Sequence, residues 1–358
     1  MKETGKTAYR AIGVMSGSSL DGIDLALCDL RIEDGRWKYR IEKAQTIAYD
    51  DDLRSKLIAV MDGTALDLAR LDVELGRRIG EACKEFLTGE MIDLISSHGH
   101  TIFHKPDEGL TTQIGSGAQI AAITGITTVC DLRTMDVAHG GQGAPLVPLG
   151  EKLLFPENKC FINLGGIANI SIHTDDRVVG HDIGPCNMAL NFLAAEAGEN
   201  FDRDGWIADS GTIIPDLLER LNSLSFYQQD PPRSLGREWF DEQILPLIGN
   251  SRFSVADRMR TVVEHITSQI SRELDRYSAE KVMITGGGAH NGFLIQRLGA
   301  LSKASIEVPE RDVIDFKEAL IFALLGVLRL RGEVNALASV TGAWRDSVGG
   351  AVYFVSAR

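Results

Sequence analysis

Short apolar runs alternate with turns rich in glycine and aspartate, and the spacing of the apolar positions switches between a strand period and a helix period. Between residues 10 and 49 the apolar positions form three runs, broken at 16–22 and at 33–36. Asp34-Gly35 in the second break is a strong hairpin signal, so three strands are predicted. Residues 64–87 place Leu66, Leu68, Ala69, Val73, Leu75, Ile79, Ala82 and Phe86 close to a helical period with charges between them, which predicts an amphipathic helix. A strand at 92–96, a polar segment, a small-residue helix near 118–124 and a strand at 127–131 follow. The order then repeats: a hairpin at 160–173, a strand at 178–182, a helix at 185–197 with Pro185 in its first turn, and a long helix at 254–277 opened by Ser254-x-x-Asp257. A strand at 281–285, a glycine turn at 286–288, a helix at 291–301, a strand at 305–308 and an apolar helix at 316–328 complete the second series. The irregular stretch 202–237, with a helix at 213–221 and a turn at Pro231-Pro232, is expected to be a surface insertion. Only a short apolar run at 351–355 stands out in the last thirty residues, which are expected to return to the first domain.

Two of these hairpins look like copies of one another: IGVMSGSSLDGIDLAL from Ile12 and FINLGGIANISIH from Phe161. Backbone N–H groups in a glycine turn form an anion nest, and small residues let the backbone approach phosphate oxygens closely. Either turn alone is an ordinary hairpin, but the pair implies two phosphate loops. The arrangement resembles the actin, hexokinase and chaperone ATPases. The expected fold class is therefore α/β, with two domains, duplicated mixed sheets flanked by helices, and an interdomain cleft. Residues 1–131 with a return near 335–358 would form one domain and 132–334 the other. At 358 residues the chain exceeds one typical core.

Composition narrows the function. Hydrophobic residues make up 44% and charged residues 24%, no apolar run reaches membrane-helix length, and the first residues lack the apolar stretch of a signal peptide. Five scattered cysteines without a CxxC pair fit reduced thiols. A cytoplasmic protein is expected. The net charge of -13 disfavours nucleic acid, and an anionic substrate would need a local cation. His98-x-His100-x3-His104 lacks a further ligand at zinc spacing and is not read as a metal site.

GVMSGSSLDGID (13–24), SSHGHTIFHKP (96–106), TTQIG (111–115), DLRTMDVAHGGQGAPLVP (131–148), NLGGIANI (163–170), HDIGPCN (181–187) and TGGGAHN (285–291) occur in the order seen in anhydro-N-acetylmuramic acid kinases, and the chain resembles that family from about Gly13 to Gly342. The first motif is highly specific, whereas the last alone would be weak. Ser18 replaces a threonine, Cys186 stands where the family has glycine, and His100 replaces a common glutamine. The resemblance implies an ATP- and Mg²⁺-dependent enzyme. Water adds at C1 of 1,6-anhydro-N-acetylmuramic acid, the bridge opens, and O6 takes the γ-phosphoryl group, as in recycling of cell-wall peptidoglycan.

It also implies roles for individual residues. Asp182, at the end of a predicted strand, would be the general base for water, its alternative role being to cap the following helix. Gly17, Ser18, Ser19, Leu20, Asp21, Gly22, Ile23 and Asp24 would cradle phosphates, with Asp21 and Asp24 also holding Mg²⁺ through its waters. Asn163, Gly165, Gly166 and Asn169 would form the opposing loop, and Gly286, Gly287, Gly288 and Asn291 would pack against adenosine. Arg133 would bind the lactyl carboxylate, the alternative being a salt bridge to Asp131 or Asp136. His100, Thr101, Asp136 and Glu318 are further sugar candidates. Partners would be the sugar and ATP, with a homodimer allowed. Two other functions stay open: a simple hexose or N-acetylhexosamine kinase, and a nucleotide-switched binding protein like actin or the chaperone ATPases.

Overall fold

The computed structural model describes residues 5–17, 20, 22–174, 177–231, 233–249 and 252–355. Ser18, Ser19 and Asp21 lie outside them. The chain divides into two compact units, residues 1–156 with 316–358, and residues 157–315.

The first unit is built on a six-stranded sheet. Its strands are β1 (Ala8–Ser16), β2 (Gly22–Glu33), β3 (Arg36–Ala48), β4 (Leu94–Ser97), β7 (Thr128–Cys130) and, from the far end of the chain, β13 (Ala351–Tyr353), in the order β13-β7-β4-β1-β2-β3. The three leading strands pair antiparallel, while β1 with β4 and β4 with β7 pair parallel. Helix Ala65–Phe86 buries Leu71, Leu75, Ile79, Cys83 and Phe86 on Ile12, Val14, Leu25 and Ile95 of this sheet. Its start is fixed by a capping box between Thr64 and Asp67.

Along β1 residues 11–14 are all buried, so the strand is covered on both faces and its run is continuously apolar rather than alternating. The second cover is the helix Arg311–Arg331. A Cβ added at Gly13 would sit 1.7 Å from the carbonyl oxygen of Ala319, and one at Gly326 would sit 2.4 Å from Cβ of Ser96. At Gly13 helix backbone therefore lies directly on strand backbone.

This packing corrects the expected domain limits of 131/132 and about 334/335. The crossings fall at 156/157 and 315/316. Helix Val147–Leu154 lies against Ile321, 2.4 Å from a Cβ at Gly150, and Glu151 pairs with Lys317 at 2.9 Å, so residues 132–156 and 316–334 belong with the first sheet. At the second crossing Phe316 leaves helical geometry, with φ -122 and ψ 17.

The second unit repeats the plan. Strands β8 (Cys160–Leu164), β9 (Ile167–His173), β10 (Val178–Pro185), β11 (Lys281–Thr285) and β12 (Ser305–Glu307) form a mixed sheet in the order β10-β9-β8-β11-β12. The hairpin strands are antiparallel and β8, β11 and β12 parallel. Val262, Val263, Ile266, Ile270 and Leu274 of helix Val255–Arg276 share a core with Leu190 and Leu193 and with Leu294 and Leu298. The fold is α/β, with mixed sheets flanked by helices.

Some elements differ from expectation. The polar segment after β4 forms a small antiparallel sheet of β5 (His100–Lys105) and β6 (Leu110–Ile114). Pro185 ends β10 instead of opening the helix, which runs Asn187–Glu196. Among the described residues no helix is long and apolar enough to cross a membrane.

Candidate active site

In the first unit the residues described between β1 and β2 are Gly17 and Leu20. Leu20 takes a left-handed φ of 58, its N–H donates to the Gly17 carbonyl at 3.3 Å, and its own carbonyl accepts from Nε of Arg54 at 3.2 Å. Gly22 has no room for a side chain, since a Cβ would lie 2.3 Å from the Ile47 carbonyl oxygen. Beneath the turn, the Ser16 hydroxyl bonds to the Tyr49 hydroxyl and, at 2.9 Å, to Nδ1 of His100. Two of the expected site residues lie here. His100 is buried and bonds through Nδ1 to the strand end, and burial lowers its pKa. Ile23 places its side chain in the core, not on a cofactor.

Arg133 follows β7 and is half-buried. Its Nε donates to Nε2 of His98 at 2.9 Å and its Nη1 to the Gly143 carbonyl at 2.6 Å, so neither expected salt bridge forms. Burial lowers its pKa while the charge of Glu318 raises it, with the lowering dominant. Asp136 is corrected from sugar ligand to internal tie: it is fully buried and accepts from the Gly143 N–H at 2.8 Å and the Thr341 hydroxyl at 2.7 Å. The glycine run beside it is thereby held rigid. A Cβ at Gly141 would stand 2.3 Å from the Asp136 carboxylate. Thr101 is half-buried and accepts from Gln113 Nε2 at 3.3 Å. Glu318 reaches solvent, yet the protein crowded around it raises its pKa against the lowering pull of Lys317 and Arg133; Asp24 and Glu151 add to the rise.

That mutual repulsion bears on a metal. Asp24 accepts the Thr46 hydroxyl at 2.6 Å and stands close enough to Glu318 to disfavour its ionisation. Among the described residues no three metal-ligating side chains cluster. One or two carboxylates are enough for Mg²⁺, which keeps several waters.

In the second unit Asp182 lies where the pairing of β10 with β9 becomes irregular. Its carboxylate oxygen Oδ2 accepts from the Ser234 hydroxyl at 2.9 Å and from the Leu235 N–H at 3.0 Å. Among the described residues both contacts fall on Oδ2, and neither is the helix cap weighed from the sequence. The donors come from the stretch expected to be a surface insertion, which a buried network anchors. Arg233 exchanges backbone and side-chain hydrogen bonds with Asp182 at 3.0 and 3.3 Å, and its Nη2 bonds Glu273 at 2.7 Å. His181 Nε2 meets the other oxygen of Glu273 at 3.1 Å. Burial would raise the Glu273 pKa, but the His181 contact and the Arg233 charge outweigh it and hold the carboxyl below its usual range.

The glycine turns of this unit converge. Asn163, on β8, pairs with Asn169 across the hairpin and with Thr285 on β11. A Cβ at Gly286, where φ is +82, would lie 2.4 Å from the Asn163 side-chain oxygen. Gly165 and Gly166 turn their carbonyls to the N–H groups of residues 186–188 at the next helix start. Gly287 is exposed, and a Cβ at Gly288 would lie 3.0 Å from the side-chain oxygen of Asn187. Asn291 is buried and caps helix Gly292–Leu301 through Leu294 N–H at 2.9 Å. Sequence reasoning did not name Asn187, Ser234, Leu235 and His98 as partners of the candidate residues, although Asn187 and His98 stand inside the quoted motifs.

Comparison with known proteins adds the chemistry. The sequence profile of the anhydro-N-acetylmuramic acid kinase family matches residues 9–355. The chain is 35% identical over 360 residues to the anhydro-N-acetylmuramic acid kinase of Sulfurovum sp. (strain NBC37-1), covering 96% of this chain and 99% of that one. It is 37% identical over 365 residues to the enzyme of that name from Pseudomonas fluorescens (strain Pf0-1), covering 96% and 98%. Among solved structures, a ROK family glucokinase from Streptomyces griseus in complex with glucose and AMPPNP overlaps at a TM-score of 0.44 with 13% identity, over 88% of this chain and 98% of that one. At that TM-score the overlap fixes no shared fold, and the assignment rests on sequence. The chain belongs to the anhydro-N-acetylmuramic acid kinase family.

Proposed function

We propose that the protein is an ATP-dependent kinase of 1,6-anhydro-N-acetylmuramic acid. Water attacks C1, the C1–O6 bond breaks, and O6 takes the γ-phosphoryl group, leaving N-acetylmuramic acid 6-phosphate and ADP. Family membership over residues 9–355 is the observation that carries this reading. The geometry supports it through Asp182. Water is a poor nucleophile at an anomeric carbon and needs a base within hydrogen-bond reach. With Oδ2 held by Ser234 and Leu235, Oδ1 is the oxygen that takes the proton.

Arg133 would pair with the lactyl carboxylate, and Thr101 and Glu318 would orient the sugar. Gly17, Ser18, Ser19, Leu20, Asp21, Gly22 and Asp24 would take phosphates on the first unit, and Asn163, Gly165, Gly166, Asn169 and Gly286–Gly288 would take nucleotide on the second. Mg²⁺ would be held through its waters by Asp21 and Asp24, where it would offset charge on the β- and γ-phosphate oxygens. Cytoplasmic residence and a homodimer complete the proposal.

The test is oxygen tracing. Purified protein, ATP and the anhydro-sugar are run in ¹⁸O-water, and the product is trapped early by borohydride, before the reducing end exchanges oxygen with solvent. One label at C1 and a phosphate at O6 are expected. Phosphorylation without label would instead mark a kinase that phosphorylates an existing hydroxyl, and the proposal would fall.

A further inference from the structure

His98 has no role in the reaction as described, yet it is the most constrained polar side chain near Arg133. It follows β4 and is buried, with its ring 4.7 Å from that of Phe322. The next residue, Gly99, has φ +73, and a Cβ there would lie 2.5 Å from the Ile114 carbonyl oxygen, so only glycine fits the turn. That turn brings the Gly99 carbonyl to 2.8 Å from Nδ1 of His98. A carbonyl can only accept, so Nδ1 carries the proton and Nε2 presents a lone pair. The lone pair receives Nε–H of Arg133 at 2.9 Å. Burial first, and the neighbouring guanidinium second, push the His98 pKa down to about 3, so the acceptor is present throughout the neutral range.

A guanidinium has five N–H groups in a fixed plane. His98 takes Nε–H and Gly143 takes one from Nη1, which leaves both hydrogens of Nη2 and one of Nη1 outside these contacts. The Nη1–Nη2 end is the edge that binds a carboxylate with two parallel hydrogen bonds. We propose that His98 is a positioning residue for substrate selection: by fixing the Nε side of Arg133 it holds the guanidinium plane so that its Nη1–Nη2 edge meets the sugar's carboxylate. This rests on the reading of Arg133 as the cation for the lactyl group.

The experiment compares two sugars, the 1,6-anhydro sugar with its lactyl carboxylate and an analogue lacking the lactyl group, across the full-length parent, H98F, H98Q and R133A. Phenylalanine keeps the ring against Phe322 and removes the acceptor, whereas glutamine returns an acceptor near the position of Nε2. H98F is expected to raise KM for the carboxylate sugar about tenfold, with less than a twofold change for the analogue and for ATP. H98Q is expected to recover KM to within about threefold of the parent. Equal losses of H98F on both sugars, or no loss on either, would overturn the inference. If H98F does not fold, H98L, which also lacks the acceptor, takes its place under the same criteria: a tenfold loss confined to the carboxylate sugar supports the inference, and equal losses or none overturn it. R133A separates the two readings. If R133A discriminates between the sugars and H98F does not, only the role of His98 falls; if R133A penalises both sugars equally, the reading of Arg133 falls and the inference with it.

Discussion

Replacing Glu273 by glutamine tests the network that carries the donors to Asp182. In the parent the Arg233 and Glu273 side chains are each 2% exposed and 2.7 Å apart, and His181 meets the second carboxylate oxygen. Glutamine keeps the shape and one acceptor but removes the counter-charge. Arg233 then remains buried with the carbonyls of Gln229, at 2.9 Å, and Asp182, at 3.3 Å, as its neutral partners. Breaking a buried pair in this way costs about 3–5 kcal/mol, and the retained hydrogen bond argues for about 3. For a unit of this size each kcal/mol shifts Tm by roughly 2–4 °C, so calorimetry at pH 7 should place the second unit's transition roughly 6–12 °C lower.

The pH dependence has a definite sign. Glu273 is held below its usual range, so its contribution is fully present above the unfolded value of about 4.3 and is lost as pH falls through the depressed folded value. The gap between parent and variant should therefore narrow in a series from pH 5 to about pH 3. As Arg233 loosens, Ser234 and Leu235 leave Oδ2, and kcat measured well below Tm should fall. A Tm within 1 °C of the parent at pH 7, or a gap that ignores pH, would refute the account.

Asp182→Asn should lower kcat by roughly 10²- to 10⁴-fold while calorimetric ATP affinity stays within about threefold, and activity within tenfold of the parent would remove Asp182 from the base role. Ser234→Ala deletes one charge-assisted donor to Oδ2 and should reduce kcat about tenfold with KM for sugar held; a change in KM alone would count against it. Gly13→Ala should cost at least about 3 kcal/mol, because its Cβ would meet the Ala319 carbonyl oxygen at 1.7 Å, and a parent-like melting curve would contradict that packing.

Both hairpins, the two long helices and the repeated sheet order were legible because each imposes a local period or a turn signal on the chain. The domain limits were not. Residues 316–331 are apolar enough to cover either sheet, and only tertiary contacts, those of Ala319 with Gly13, Gly326 with Ser96 and Lys317 with Glu151, assign them to the first. Asp136 illustrates a second limit: a carboxylate inside a polar motif looks the same whether it faces ligand or accepts from Gly143 and Thr341 in the interior. The support of Asp182 was hidden because Ser234 is 52 residues away and lies outside any helix or strand. Strands β5 and β6 escaped because neither face supplies an apolar alternation.

The two glycine contacts on helix Arg311–Arg331 differ in how they can be repaired. At Gly326 the obstacle to a Cβ is largely the Ser96 side chain, at 2.4 and 2.5 Å, so Ser96→Gly opens most of the space and a double variant should regain much of what Gly326→Ala loses. At Gly13 the obstacles are the carbonyl of Ala319 and the amide nitrogen of Ala323, atoms that every amino acid possesses. No second substitution can remove them. Suppressor screens should therefore recover partners for position 326 and none for position 13, and Glu318, the neighbour of Ala319 on that helix, keeps its place through a contact that has only one sequence solution.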